Sequence, residues 1–224
     1  MDTQDDFDFG TATGAEELQQ GQSDATLLKQ ATINEKVAPE LLDYDAPLVA
    51  SIEAQIEHQE GVIADYRDNP KMELPRLMYS YELKRVRYLL QAYHRTRLSK
   101  IEKFILHILE KEEVLMRLSE KEKIYAQARD YFMLFGRHQK ETILNLMPDG
   151  FRDIAKQSAG SVRGDMIPVP DQDKHVFCRV LADRGYVEMN NAGTETAEFS
   201  KDDLYVARYD PIQTLLKEGW VHLI

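Results

Sequence analysis

The chain has 224 residues, 43% of them apolar, a formal net charge of −11 and one cysteine, Cys178. That apolar share is enough for a real core, the acidity argues against a dedicated nucleic-acid binder, and a lone cysteine rules out an intrachain disulfide and suits a reducing compartment. Met1-Asp2-Thr3-Gln4-Asp5-Asp6 lacks the basic and apolar regions of a signal peptide, and no apolar run approaches the ~18 residues of a membrane span, so a soluble intracellular protein without a membrane partner is expected.

Residues 1–22 carry Asp2, Asp5, Asp6, Asp8, Glu16 and Glu17, no Lys or Arg, and the helix-breaking Gly10, Gly14 and Gly21. Such a segment buries too little apolar surface to offset its ordering entropy, which predicts a disordered acidic tail. Phe7 and Phe9 stand out among the acids, and Asp5-Asp6-Phe7 is a candidate docking motif. Ser23 or Asp24 caps a helix to about Val37, and Pro39 interrupts. Asp45 before Ala46-Pro47 opens a second helix, with Leu48, Ile52, Ile56 and Ile63 as its stripe, ending near Tyr66. Asn69-Pro70 is a turn or a new cap. A long helix follows, from about Leu74 or Met78 through Leu109 and on into Lys111-Glu112-Glu113, with Pro75 tolerated only in its first turn. Ser119 with Glu122 three residues on reads as a capping box. It opens a last long helix whose face is Ile124, Ala128, Tyr131, Phe132 and Phe135, ending near Met147-Pro148.

After Gly150 the pattern changes. Gln157 to Gly164 is a linker of small residues, and period-two segments follow. Strands are expected at His175–Ala182, Gly185–Met189, Thr194–Phe199 and Leu204–Tyr209, with a turn at Asn190–Gly193. A short helix runs from Pro211 to about Lys217, and Trp220–Ile224 is a last strand. The fold class is therefore α+β: a tail at 1–22, an all-α helical bundle at 23–149, a linker at 150–166 and a small β-rich domain at 167–224. A β domain of that size is marginal alone and should lean on something else. No internal repeat is visible.

Chemistry is sparse. His58, His94, His107, His138, His175 and His222 include no pair at helical spacing, and no second cysteine completes a zinc site. Gly160-Ser-Val-Arg-Gly164 lacks the Gly-Lys-Ser/Thr of a phosphate loop, and no Gly-x-Ser-x-Gly elbow occurs. Cys178 alternates with Val176 and Val180 on one strand face, where it reads as a small buried hydrophobe rather than a nucleophile paired with His175. Glu110, Glu112 and Glu113 form a solvated helix end. No catalytic, cofactor-binding or metal-binding residue is assigned, and no enzyme is expected.

The stretch from Arg85 to Leu109 is the most informative. It has no Gly or Pro, and Val86, Leu90, Tyr93, Ile101, Phe104 and Ile108 stay in one stripe at ~100° per residue. Arg97 falls inside that stripe. Ile105, Leu106 and Leu109 widen the apolar arc to roughly 200°, more than one neighbouring face covers. Either the chain's own domain wraps this end or partner chains do. Lys84, Arg85, Arg87, Arg95, Arg97, Lys100 and Lys103 are a solvated face, an electrostatic match for acidic partners, or a small DNA contact. Arg97 favours the second reading, because a desolvated guanidinium needs a carboxylate. Candidate partner-interface residues are Arg85, Arg87, Arg97, Lys100, Lys103, Phe104, Ile105 and Leu106. Trp220 and Ile224 join them from the apolar last strand.

Arg85-Val-Arg-Tyr-Leu-Leu90, Tyr93-His-Arg-Thr-Arg-Leu98 and Lys100-Ile-Glu-Lys-Phe104 followed by His107-Ile-Leu-Glu-Lys-Glu112 resemble the Sld-five subunits of GINS. Val169-Pro-Asp171 leading into Val176-Phe-Cys-Arg-Val180, and the terminal Val221-His-Leu-Ile224, extend the resemblance over roughly 25–224. The resemblance implies a helical domain before a β domain, an order shared with the Psf-one subunits, whose corresponding stretch differs from Lys-Ile-Glu-Lys-Phe. It also implies a nuclear, non-catalytic scaffold of DNA replication, assembled with the Psf-one, Psf-two and Psf-three subunits. GINS joins the MCM ring and the Cdc-forty-five protein in the replicative helicase, where the ring hydrolyses ATP and direct DNA contact by this chain is weak or absent. Some tails of the family dock a replisome adaptor hub through acids followed by aliphatics; Asp5-Asp6-Phe7 lacks the Ile-Leu pair. The alternatives are a Psf-one-type subunit and a freestanding helical adaptor.

Overall fold

In a computed structural model, which describes residues 23–67, 69–128, 138, 141–148, 168–189 and 196–224, the first expected helix runs Asp24–Val37 (α1). Two compact units emerge, one of residues 38–172 and one that joins α1 to residues 173–224. The expected tail, the continuation of the last helix through Tyr131, Phe132 and Phe135, the linker and the turn at 190–193 lie outside the described residues.

The first unit begins its helices as the sequence predicts. The Asp45 carboxylate accepts the Leu48 N–H at 3.0 Å, with Pro47 in the first turn, and opens Ala46–Asp65 (α2). Asn69 caps a short 3-10 turn at Pro70–Met72, which leads into the 38-residue helix Glu73–Glu110 (α3). α3 runs back along α2: the rings of Tyr66 and Tyr79 lie 6.2 Å apart, Glu60 is ion-paired with Arg87, and Tyr44, just before α2, sits 6.3 Å from Tyr93. These pairings descend along one segment as they climb the other, as an antiparallel hairpin requires.

α3 departs from the expected straight run. It bends at Phe104 (φ −111°, ψ 20°) and stops at Glu110, because Lys111 is extended (φ −112°, ψ 109°). The short helix Glu112–Leu115 (α4) follows, then Glu120–Ala128 (α5). The bend serves packing. Ile101, Phe104 and Ile108 form a buried cluster with Leu41, Leu118 and Ala126, and Leu109, Val114, Leu115 and Tyr125 lie against it. Burying one such side chain contributes about 1.5–3 kcal/mol, which outweighs the few tenths of a kcal/mol by which helix propensity favours going straight. The capping box forms as expected: Ser119 Oγ accepts the Glu122 N–H at 3.2 Å, and Glu122 Oε2 accepts the Ser119 N–H at 2.9 Å.

In the second unit, His175–Val180 (β1), Gly185–Glu188 (β2), Thr196–Phe199 (β3), Leu204–Arg208 (β4) and Val221–Leu223 (β5) are the strands, with Tyr209–Lys217 (α6) before the last. One antiparallel sheet has the order β4-β1-β5; β2 and β3 form a separate hairpin. Alternation buries Val176, Cys178 and Val180 of β1 together with Ala207, Val221 and Leu223, while α6 adds Tyr209, Ile212 and Leu215 to the buried residues. Gly219, at φ +75°, ends α6. Its N–H reaches Leu216 O, and the Trp220 N–H reaches Leu215 O, the paired bonds that turn a helix end into a new direction, here into β5.

The helical bundle expected at 23–149 differs from this grouping, because α1 packs with the strands. β5 is an edge strand, and its outward Leu223 N–H and C=O need partners. α1 supplies them: Asn34 Oδ1 accepts the Leu223 N–H at 2.9 Å, and Gln30 Nε2 donates to Leu223 O at 2.9 Å and to Asn34 Oδ1. Asn34→Leu removes the acceptor and strands a half-buried N–H. An expected loss of about 1–3 kcal/mol follows, measurable as a lowered denaturation midpoint with faster hydrogen exchange at Leu223.

Candidate interaction surfaces

The residue picked out as needing a partner carboxylate finds one in its own chain. Arg97 is 0% exposed. Its Nε donates to Glu122 Oε1 at 2.8 Å and its Nη2 to Glu122 Oε2 at 3.1 Å. Nη1 donates to Leu42 O at 2.8 Å and Nη2 also to Arg117 O at 3.0 Å, while Tyr44 and Tyr93 present ring faces 5.3 and 5.7 Å away. One guanidinium thus joins α3, the segment before α2 and the first turn of α5. Lys100 Nζ donates to Glu40 O at 2.6 Å. Arg117 binds Glu40 Oε2 at 2.9 Å and Leu41 O at 3.0 Å. These cations hold residues 40–42 of their own chain onto the helices. Burial pushes the imidazole of His94, beside Tyr44, below its usual range, against the opposing charges of Glu122 and Glu53.

Arg97, expected from the sequence as a partner contact, is thus buried within its own chain, and Lys100 is half-buried with its ammonium on Glu40 O. Phe104 is likewise buried in the intrachain cluster, and Lys103, exposed, lies over its ring at 5.0 Å. Ile105 and Leu106 are half-buried. The wide apolar arc at this end is thus wrapped in large part by α4, α5 and Leu41. Arg85 is exposed and paired with Glu82 at 2.7 Å, one turn away, and Arg87 with Glu60 of α2. Asp5, Asp6 and Phe7 lie outside the described residues.

An exposed apolar stripe lies elsewhere on the same helix. Leu74, Leu77, Met78, Tyr81 and Tyr88 are all exposed, Leu74 at 70% and Tyr81 at 67%. At ~100° per residue they share one stripe, on the side of α3 opposite Leu83, Tyr93 and Arg97. The first half of α3 is therefore apolar on two faces, of which α2 covers one. The sequence carries the signal as a second i, i+3, i+4, i+7 series, Leu74, Leu77, Met78 and Tyr81, at the start of the long helix.

In the second unit, Trp220 is half-buried under the Arg184 guanidinium, 5.0 Å from the ring, and Arg184 also pairs with Glu218. Ile224 is exposed, although its N–H is tied to Phe177 O. Cys178 is fully buried and donates its S–H to Tyr205 O at 3.6 Å. Burial pushes the thiol up to about 11, against a smaller opposing effect of that hydrogen bond. Cys178→Ser keeps a donor within reach of the same carbonyl, so a loss of about 1 kcal/mol, the low end for burying a hydroxyl, is expected. Native Cys178 should also resist iodoacetamide until the chain unfolds, a test read by mass spectrometry.

Among the described residues no group of three or more His, Cys, Asp or Glu side chains converges to hold a metal ion, and no helix is long and apolar enough to cross a membrane. Two family descriptions match the two parts of the chain. "GINS complex protein helical bundle domain" matches residues 49–128, and "DNA replication complex GINS protein SLD5 C-terminus" matches residues 170–224. Relatives called "DNA replication complex GINS protein SLD5" are similar along most of their length. That of Arabidopsis thaliana is 39% identical over 208 residues, covering 90% of this chain and 91% of the relative. That of Mus musculus is 34% identical over 206 residues, covering 88% and 87%. That of Dictyostelium discoideum is 31% identical over 202 residues, covering 88% and 90%.

Proposed function

The chain belongs to the SLD5 family of GINS proteins, and from that premise we propose that it is a non-catalytic structural subunit of a DNA replication complex in the nucleus. Its partners on this reading are the Psf-one, Psf-two and Psf-three subunits, and the four-chain assembly acts with the MCM ring and Cdc-forty-five in the replicative helicase. The observation that carries the reading is the uncovered stripe Leu74, Leu77, Met78, Tyr81 and Tyr88. Exposed apolar side chains clustered on one helix face mark an interaction site, here with Arg85 between Tyr81 and Tyr88, and tyrosines are enriched at the centres of interfaces. The half-buried Ile105 and Leu106 extend the candidate interface toward the other end of α3, and Trp220 and Ile224 are separate candidates on the second unit.

Direct DNA contact is a minor element of the proposal. Arg97 and Lys100 are spent on the chain's own carbonyls and carboxylate, and Arg85 and Arg87 on Glu82 and Glu60. Asp5, Asp6 and Phe7 remain the candidate contact for a replisome adaptor hub. Coexpression with the other three subunits is the test. One soluble equimolar complex on a sizing column is the expected result. A monodisperse monomer that ignores the other chains would favour the freestanding adaptor instead.

A further inference from the structure

The outer face of the sheet β4-β1-β5 is set by register. Phe177 faces Val206, His175 faces Arg208, and Arg179 lies between Leu204 and His222. The Ile224 N–H bonds to Phe177 O, which continues the β5 register and puts Ile224 beside Phe177. Val206, Phe177 and Ile224 therefore form an apolar row straight across the three strands, at 57%, 62% and 53% exposure, with Leu204 at its corner. Arg179 and His222 flank the row on one side and His175 and Arg208 on the other. Arg208 reaches Asp173 at 3.7 Å, a loose and exposed pair, and Arg179 has no ion-pair partner among the described residues. The other face of this sheet is buried. An apolar row with one arginine on either side, Arg179 and Arg208, is thus left open on a small domain that needs additional cover.

The chain itself holds the complement. Residues 1–22 have six carboxylates, no Lys or Arg, and the aromatic pair Phe7 and Phe9 set between Asp5, Asp6 and Asp8. They lead into α1, which is fixed to the outer edge of β5 by Gln30 and Asn34. From Phe9 to Asp24 the chain can extend about 50 Å at ~3.3–3.6 Å per residue, whereas three strands span about 10 Å, so reach is ample.

We propose that the segment Asp5–Phe9 docks on this face of its own chain, its two phenyl rings over Val206, Phe177 and Ile224 and its carboxylates against Arg179 and Arg208. The segment then covers the sheet in the absence of other partners, and it cannot occupy this face and a second protein at once.

A photo-crosslinking residue, p-benzoylphenylalanine, at Phe177 or at Val206 of the full-length chain, without other subunits, tests this. A third chain labelled at Tyr186, exposed on β2, serves as the control. The expected product from Phe177 and Val206 links to residues 1–22, with no mixed-isotope pairs when labelled and unlabelled preparations are combined. Phe7→Ser together with Phe9→Ser should lower its yield at least about tenfold, since two rings lose their apolar burial. Salt at 1 M should lower it severalfold, where the screening length is about 3 Å. The proposal is overturned by mixed-isotope pairs, by no link at all, or by a yield that ignores Phe7 and Phe9 or matches the Tyr186 control.

Discussion

Arg97→Met is expected to destabilise the helical unit by about 3–5 kcal/mol, the usual cost of removing one partner of a buried ion pair. The methionine restores apolar volume but none of the donors. Glu122, 5% exposed, keeps a carboxylate that has lost Nε and Nη2, and the carbonyls of Leu42 and Arg117 lose Nη1 and Nη2. A urea titration would register this as a lower midpoint with an unchanged slope. Arg97→Lys should recover little, because a single ammonium cannot serve a two-oxygen acceptor and two carbonyls from one plane. The double change Arg97→Met with Glu122→Leu is more informative. Buried ion pairs replaced by apolar residues are often neutral. Here Glu122 also accepts the Ser119 N–H at the start of α5, and the Leu42 carbonyl loses its guanidinium donor, while the Arg117 carbonyl keeps the Tyr44 N–H at 3.1 Å. The double variant should therefore stay well below the native chain. Native stability in it would mean that the guanidinium adds nothing beyond balancing Glu122.

The two ends of that interaction differ in how readable they are. Ser119 and Glu122 are three residues apart, and their mutual bonds follow from local geometry, so the capping box was legible. Arg97 and Glu122 are 25 residues apart. Helical spacing places Arg97 on the buried stripe, but no local rule says which carboxylate turns to meet it, and a partner chain was an equally good source. α1 poses the same difficulty on a longer scale. Gln30 and Asn34 look like a solvated helix face until β5, 193 and 189 residues away, presents an unpaired backbone edge. The strand alternation in β1 is a period-two signal, and it carried through. The bend at Phe104 had no Gly or Pro to announce it, since it arises from the fit of Leu118 and Ala126 against Ile101 and Ile108.

The exposed stripe on α3 separates folding from assembly, which the half-buried end of the helix cannot do. Tyr81→Asp with Tyr88→Asp should leave the isolated chain's stability within about 0.5 kcal/mol, because both side chains are already exposed. In an assembled interface each new carboxylate would be buried without a partner, at a cost of several kcal/mol. At about 1.4 kcal/mol per decade, association should weaken by a hundredfold or more, enough to remove the chain from a coexpressed complex on a sizing column. Ile105→Asp or Leu106→Asp should also block assembly, but these residues are half-buried within the chain, so the fold itself should weaken with them. Lys111→Glu, at an exposed position, should change neither property, since exposed pairs contribute about 0–1 kcal/mol. If the double tyrosine variant still co-elutes with the other subunits at micromolar concentration, the stripe is not the assembly face. The apolar surface around Ile105 and Leu106 would then be the stronger candidate.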